Sequence, residues 1–306
     1  MNRKKIIALT GPTASGKSKL GFDLAKQLNT QIISVDSRLV YRNFEIAAAK
    51  PDKEMLNEVT HHLINFVDPH FQYTAGDFVE HARNIIENLH NQGKIPVLVG
   101  GSYLYYKVLL EDYELPQCKV DWGYRDYLNS KSDLQLYDML VKADFESAQK
   151  IHVNNRVKVI RSLELIREFG MKLKDILKQR TDVPDDVIWF GLDANNRDFL
   201  YDRINKRVDS MINDGLLKET ISNYKKYDES DVFINTIGYS ELLEYINKKT
   251  SFEEACEKIK QHTRNYAKRQ LSFMKTNQNI TWFDIEQMES DEIFEKVLGI
   301  VKNLDS

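Results

Sequence analysis

An α/β fold, a mostly parallel sheet flanked by helices and carrying a helical insertion, is the architecture the sequence predicts, on three observations. Short apolar runs at residues 6–10, 31–35, 95–99 and 187–192 alternate with helix-periodic segments, as expected of strands joined by crossovers in one sheet. The first run, Ile6-Ile7-Ala8-Leu9-Thr10, passes directly into Gly11-Pro12-Thr13-Ala14-Ser15-Gly16-Lys17-Ser18, a G-x-x-x-x-G-K-S loop placed where a strand hands over to a helix. Between Glu111 and Arg180 the chain turns to long, charged, helix-periodic segments before returning to an apolar run at Val187.

Each element carries its own expectation. In the loop, the glycines let backbone N–H groups converge on phosphate oxygens, Lys17 adds a mobile positive charge, and the Ser18 hydroxyl is placed to join a Mg²⁺ shell. Leu20, Phe22, Leu24, Ala25 and Leu28 then recur at helical spacing. The second run ends in Val35-Asp36-Ser37. Ligands of open parallel sheets bind at the carboxyl ends of strands, which makes Asp36 a candidate base beside the loop; its plainer reading is a helix N-cap. His61-His62 are adjacent and project apart in a strand, a poor metal pair, so positioning of phosphate or substrate competes with an uninvolved role. The third run ends Val99-Gly100-Gly101-Ser102, where glycines admit a ligand or backbone at close range.

The helical insertion is expected over residues 115–183, bounded by prolines at Leu115-Pro116 and Val183-Pro184, with residues 1–114 and 184–306 forming the core. Its clearest helix spans residues 156–167. Beyond Val187, Arg203 and Arg207 are four apart and share a helix face, able either to reach an anionic site or to pair with Asp202 and Asp209. Residues 258–275 hold Lys258, Lys260, His262, Arg264, Lys268, Arg269 and Lys275 and no acidic residue. In a helix, Arg264, Lys268 and Lys275 line one face, suited to RNA phosphates if it is not merely a solvated face.

Composition narrows the class. With 306 residues, 42% hydrophobic and 29% charged, the chain suits one large or two moderate globular domains, and its net charge of −3 makes any nucleic-acid contact a local matter. No run approaches a membrane span and the amino terminus lacks a secretory h-region, so a cytoplasmic location without membrane association is expected. Cys118 and Cys256 stand far apart without ligand-spaced neighbours, and both are expected to be buried and reduced.

Read in order, residues 11–18, Asp36-Ser37-Arg38-Leu39-Val40-Tyr41, Ala49-Lys50-Pro51, His61-His62-Leu63, Gly100-Gly101-Ser102-Tyr103-Leu104-Tyr105, Arg161-Ser162-Leu163-Glu164, Ile237-Gly238-Tyr239 and Ala267-Lys268-Arg269-Gln270 closely resemble the tRNA dimethylallyltransferases (the IPP transferase family) over nearly the whole chain. The resemblance implies a P-loop NTPase-like fold. It also implies Mg²⁺-dependent transfer of a dimethylallyl group from dimethylallyl diphosphate to N6 of adenosine 37, in the anticodon stem–loop of tRNAs reading codons that begin with U. By that resemblance the loop Gly11, Pro12, Thr13, Ala14, Ser15, Gly16, Lys17 and Ser18 holds the diphosphate, and Asp36 is the general base. Thr13 and Arg207 stabilise the leaving group, and Ser18 is the metal-side ligand. The tRNA contacts carried over are Asp36, Ser37, Arg38, Leu39 and Ser102, then Val157, Lys158, Val159, Ile160 and Arg161; Arg264 and Lys268 join them from the charge pattern. The helical insertion is expected to clasp the anticodon arm, in a monomer of bacterial type lacking the zinc-finger extension of eukaryotic members.

Five positions depart from the family's commoner pattern. Leu39 replaces Gln, Ser102 replaces Thr, Tyr103 replaces Gly or Met, Asn155 replaces Asp and Val157 replaces Gln, all bearing on RNA recognition and none on the loop, Asp36 or Arg207. Three other functions share these features. An adenylate isopentenyltransferase modifies a free nucleotide, a P-loop kinase uses the loop for ATP, and a tRNA-binding paralogue performs no catalysis.

Overall fold

The computed structural model describes residues 4–111, 116, 121–176 and 186–303. It contains six strands, β1 (Ile6–Thr10), β2 (Ile32–Val35), β3 (His61–His62), β4 (Val97–Gly100), β5 (Val187–Asp193) and β6 (Thr281–Asp284), ordered β3-β2-β4-β1-β5-β6. Every pairing between these strands is parallel, the arrangement the sequence predicts. The outer two are not among the strands the sequence predicts: β3 is only two residues long, β6 (Thr281-Trp282-Phe283-Asp284) carries no continuous apolar run, and both close the edges of the sheet.

The strand sequences explain their position. All five residues of β1 are buried, as are all four of β2 and of β4, because helices cover both faces and leave no polar side to alternate with. Ile7, Leu9, Val97, Val99 and Phe190 pack with Leu20, Leu24 and Ala25 of the helix Lys17–Gln27, and with Ile293, Val297 and Val301 of the helix Ser290–Asn303. Burying each such side chain fully contributes about 1.5–3 kcal/mol. The helix Ala75–Asn91 opens with a Thr74/Asp77 capping box and Phe252–Met274 with a Ser251/Glu254 box, which satisfies the amides that helix ends leave unpaired.

The chain divides into two compact units, residues 1–109 with 184–306, and residues 110–183. The second is helical in its described part: Trp122–Asn129, Asp133–Ala143, Phe145–Ala148, Arg156–Phe169 and Leu173–Ile176. Leu128, Leu136, Leu140, Ala148, Val159 and Leu163 form its own core. Glu164 is buried and held by a two-pronged contact with Arg125, at 2.6 and 2.8 Å, with Arg161 at 3.4 Å. Leu115, Val183 and Pro184, the expected insertion boundaries, lie outside the described residues, as does Cys118. Cys256 is half-buried rather than buried, and burial raises its thiol pKa. No described helix is long and apolar enough to cross a membrane.

Two of the quoted motifs turn out to brace one loop. The Glu219 carboxylate accepts the N–H groups of Glu45, Ile46 and Ala47 at 2.8–3.1 Å, and the Tyr239 hydroxyl donates to it at 2.7 Å. Lys50, whose side chain is only 4% exposed, donates to Glu45 and to Asn65. Ala49-Lys50-Pro51 and Ile237-Gly238-Tyr239 therefore serve architecture through these contacts.

Candidate active site at the carboxyl edge of the sheet

Register assembles the site. Thr10 pairs with Gly100 and Gly100 with Val35, so the chain leaves the sheet at Gly11, Asp36 and Gly101 from adjacent positions on one edge. The loop after β1 winds through left-handed backbone at Ala14 (φ 64°) and Gly16 (φ 95°). Gly16 starts the helix Lys17–Gln27 without a side-chain cap, and no acidic residue occupies the first turn. Uncapped amides at the positive end of a helix form an anion site. Arg203 braces this geometry: its Nε donates to the Ala14 carbonyl at 2.9 Å, and its guanidinium lies over the Phe199 ring.

Lys17 donates to the Pro12 carbonyl at 3.0 Å. Burial, and then the nearby charge of Arg207, lower its pKa to about 8 against the opposing pull of Asp36. Arg207 sits on the helix Arg197–Asn213 and is open to solvent on one side. The protein atoms packed around the rest of its guanidinium still displace enough water to lower its pKa, again against the pull of Asp36. The pairing of Arg203 and Arg207 with Asp202 and Asp209 does not occur: those carboxylates bind Lys206 and Lys260. Two crowded cations sharing one carboxylate form a charge imbalance that an incoming anion relieves.

Asp36 caps a turn rather than a helix. Its Oδ1 accepts the N–H groups of Arg38 at 2.7 Å and Leu39 at 3.3 Å, fixing the turn after β2, while among the described residues no hydrogen bond reaches Oδ2. Ser37 N–H donates to Ser102 Oγ at 3.1 Å and Ser102 N–H to the Val35 carbonyl at 3.1 Å, tying the turn that holds Asp36 to the turn after β4. Nearby, burial and then the charge of Asp36 push the Tyr266 phenol up to about 12. Gln270 reaches the loop itself, accepting Thr13 N–H and donating to the Gly101 carbonyl, each at 3.0 Å.

Sequence reasoning gave no role to Tyr266, nor to Gln270 beyond its place in the Ala267-Lys268-Arg269-Gln270 motif. A signal existed for Gln270, a polar side chain on the buried stripe Ala267, Gln270, Leu271 and Met274. Tyr266, four residues earlier, gave none.

Other expectations need correction. Val159 and Ile160 are 0% and 8% exposed within the helical core, so their side chains are not RNA contacts. In that stretch Val157 and Lys158 are exposed, and Arg161 is half-buried against Glu164 and the Pro116 carbonyl. The basic stretch is largely neutralised by acids distant in sequence: Lys258 pairs with Glu244, Lys260 with Asp209, His262 with Glu241 and Lys275 with Asp193. Arg264 donates to Asn205 at 2.6 Å, while Lys268 is exposed and has no ion pair among the described residues. His61 and His62 bond Val59 and Gln31; burial lowers both pKa values, and neither contact serves a ligand. A cleft lined by Asp193, Lys275, Trp282 and Asp284 holds polar groups already joined to one another or to Arg197 and Asn195, leaving the uncommitted chemistry at the loop.

The family model for IPP transferase matches residues 39–277. The chain belongs to the IPP transferase family. A tRNA dimethylallyltransferase of Halalkalibacterium halodurans is 37% identical over 296 residues, covering 95% of this chain and 94% of that protein. One of Bacillus anthracis is 38% identical over 305 residues, with 98% and 97% covered. The crystal structure of the tRNA isopentenylpyrophosphate transferase of Bacillus halodurans is 36% identical and superposes with a TM-score of 0.74, covering 98% of this chain and 96% of that one. A eukaryotic dimethylallyltransferase captured acting on tRNA gives 0.81 at 27% identity, over 98% of this chain and 79% of its own. The family member described here is accordingly a prenyltransferase with a P-loop NTPase-like fold.

Proposed function

We propose that this chain transfers a dimethylallyl group from dimethylallyl diphosphate to N6 of adenosine 37 in tRNAs reading codons beginning with U. The observation that carries the reading is the placement of Asp36 on the same sheet edge as the Gly11 loop, within electrostatic reach of Lys17 and Arg207. A base beside an anion cradle suits attack by a neutral amine on a carbon bearing a diphosphate. The exocyclic N6 forms a bond to the allylic carbon, the carbon–oxygen bond to diphosphate breaks, and Asp36 accepts the N6 proton, which a neutral adenine amine does not release readily unaided. Lys17, Arg207 and the Thr13 hydroxyl stabilise the departing diphosphate.

Mg²⁺ fits this arrangement in one particular way. Among the described residues no cluster of three His, Cys, Asp or Glu side chains forms a metal cage, whereas Mg²⁺ commonly keeps its waters and binds substrate phosphates with few protein ligands. The exposed Ser18 in the first turn of the helix Lys17–Gln27 would supply the protein ligand, and the ion would neutralise charge on the leaving group.

The target base lies in a folded loop and has to be extruded into the site, at a cost of roughly a few kcal/mol. Ser102, in the turn bonded to Ser37, is read as part of the wall it meets, with Ser37, Arg38 and Leu39 as RNA contacts. Exposed Val157 and Lys158, with Arg161, Arg264 and Lys268, are read as further contacts. Replacing Lys268 with alanine is expected to weaken tRNA binding and reduce the slope of log affinity against log salt by about one. An unchanged slope in a salt titration assigns Lys268 to a solvated face.

The reading is tested by incubating the protein with Mg²⁺, dimethylallyl diphosphate and an unmodified anticodon stem–loop with adenosines at positions 36 to 38. AMP serves as a parallel acceptor and nucleoside mass spectrometry as the readout. Prenylation of adenosine 37 alone supports the proposal. Product on AMP selects a free-nucleotide enzyme, and no product with either acceptor overturns the reading.

A further inference from the structure

The helix Phe252–Met274 reaches the site through one side chain whose carboxamide bonds two different loops. Gln270 is 6% exposed. Its Oε1 accepts the N–H of Thr13, in the loop after β1, and its Nε2 donates to the carbonyl of Gly101, in the turn after β4. The fit is close: a Cβ built on Gly101 would stand 2.1 Å from Gln270 Nε2, so a glycine there is what admits the carboxamide. One helical turn earlier, Tyr266 feels the charge of Asp36, and residues four apart share a helix face. A parallel sheet fixes where its strands end, but the loops beyond those ends move independently unless something joins them. Here the join is a single amide, buried and bonded at both ends.

We propose that Gln270 is a positioning residue for prenyl transfer, its carboxamide fixing the spacing between Thr13, at the diphosphate-binding loop, and the Gly101-Ser102 turn that the acceptor base meets. The proposal rests on the functional reading above. Because Thr13 N–H is committed to Gln270, the amide does not point into the anion cradle, and the Thr13 hydroxyl is the group left for the leaving diphosphate. Reaction between two bound substrates depends steeply on their separation: a misplacement of about 1 Å costs about a hundredfold in rate. A residue that only stabilised the fold would not affect the bound-state rate in this selective way.

The experiment compares Gln270→Met and Gln270→Glu with the wild type. It measures single-turnover prenyl transfer at saturating dimethylallyl diphosphate and tRNA, with tRNA affinity and thermal unfolding recorded separately. Methionine retains length and volume without either hydrogen bond. It is expected to lower the single-turnover rate by about a hundredfold while tRNA affinity changes by less than about twofold. A protonated glutamic acid reproduces the acceptor and donor pattern of the amide, whereas its carboxylate faces the Gly101 carbonyl with no proton to give. The ratio of the Gln270→Glu rate to the wild-type rate is therefore expected to rise as pH falls from about 8 to about 6, a range that burial brings within reach of a carboxyl group. Taking the ratio removes any pH dependence that the two enzymes share. A Gln270→Met rate within about threefold of wild type overturns the positioning role, and so does a loss matched by an equal loss of tRNA affinity with a pH-independent Glu ratio. Absence of turnover in the wild type itself overturns the functional reading instead, so the two failures are told apart.

Discussion

Replacing Asp36 with asparagine is expected to lower the single-turnover rate of prenyl transfer by about 10²–10⁴-fold, the range general base catalysis supplies, while tRNA affinity stays near that of the wild type. Asparagine is the informative substitution because Asp36 has two tasks. Its Oδ1 accepts the Arg38 and Leu39 amides, and an asparagine carbonyl oxygen continues to accept them, so the turn after β2 is retained. What is lost is the carboxylate's ability to take a proton. A fall in the rate of the chemical step at unchanged tRNA affinity is the signature of an interaction made only in the transition state. Wild-type turnover by the variant would remove Asp36 from the base role and leave it as a turn cap. A fall in tRNA affinity as large as the fall in rate would place it among the RNA contacts instead.

The largest expected effect on stability lies in the helical unit. Arg125→Met is expected to destabilise it by about 3 kcal/mol, the lower end of the cost of leaving a buried charge without its partner. Glu164 is 4% exposed at its side chain, and the remaining cation, Arg161, approaches to only 3.4 Å and is itself partly in water. Urea unfolding followed by circular dichroism measures the change. Hydrogen exchange should locate it in the helices Trp122–Asn129 and Arg156–Phe169, with the amides of β1 and β4 unaffected. Combining Arg125→Met with Glu164→Leu should recover much of the loss, since an apolar pair of similar volume avoids desolvating any charge. A single-variant loss below about 1 kcal/mol would show that water or Arg161 compensates Glu164 adequately.

The anion loop, four of the six strands and the helical character of the insertion could be read from sequence because each is a local property. A glycine pattern fixes backbone conformation over eight residues, and an apolar run of four or five residues with flanking turn signals needs no partner to be recognised. The edge strands β3 and β6 were illegible because His61–His62 is only two residues long and Thr281–Asp284 has polar residues at both ends of a two-residue apolar core, and only pairing with β2 and β5 makes them strands. The tRNA stretch at residues 157–161 is instructive in another way. Contiguous residues on a helix point in different directions, so Val159 and Ile160 belong to the core while Val157 and Lys158 face water.

Charge was where local reading failed most. Residues 258–275 look uncompensated because Glu244, Asp209, Glu241 and Asp193 stand elsewhere in the chain, and an ion pair depends on distance in space. Arg203 and Arg207 erred in the opposite sense: neighbouring aspartates in sequence suggested a solvated face, whereas the helix directs one to Ala14 and the other toward Lys17 and Asp36.

By itself, then, the sequence determined the fold class, the loop that can cradle an anion, and the family, all encoded in local backbone preference and in an ordered set of motifs. Only the tertiary structure decided which charges remain uncommitted, that Asp36 keeps one oxygen clear of the turn it caps, and that Gln270 joins two loops from 257 and 169 residues away. The physical reason is range. Dihedral preferences and side-chain periodicity act over a few residues, whereas hydrogen bonds, ion pairs and desolvation are set by whichever groups folding brings within a few ångströms.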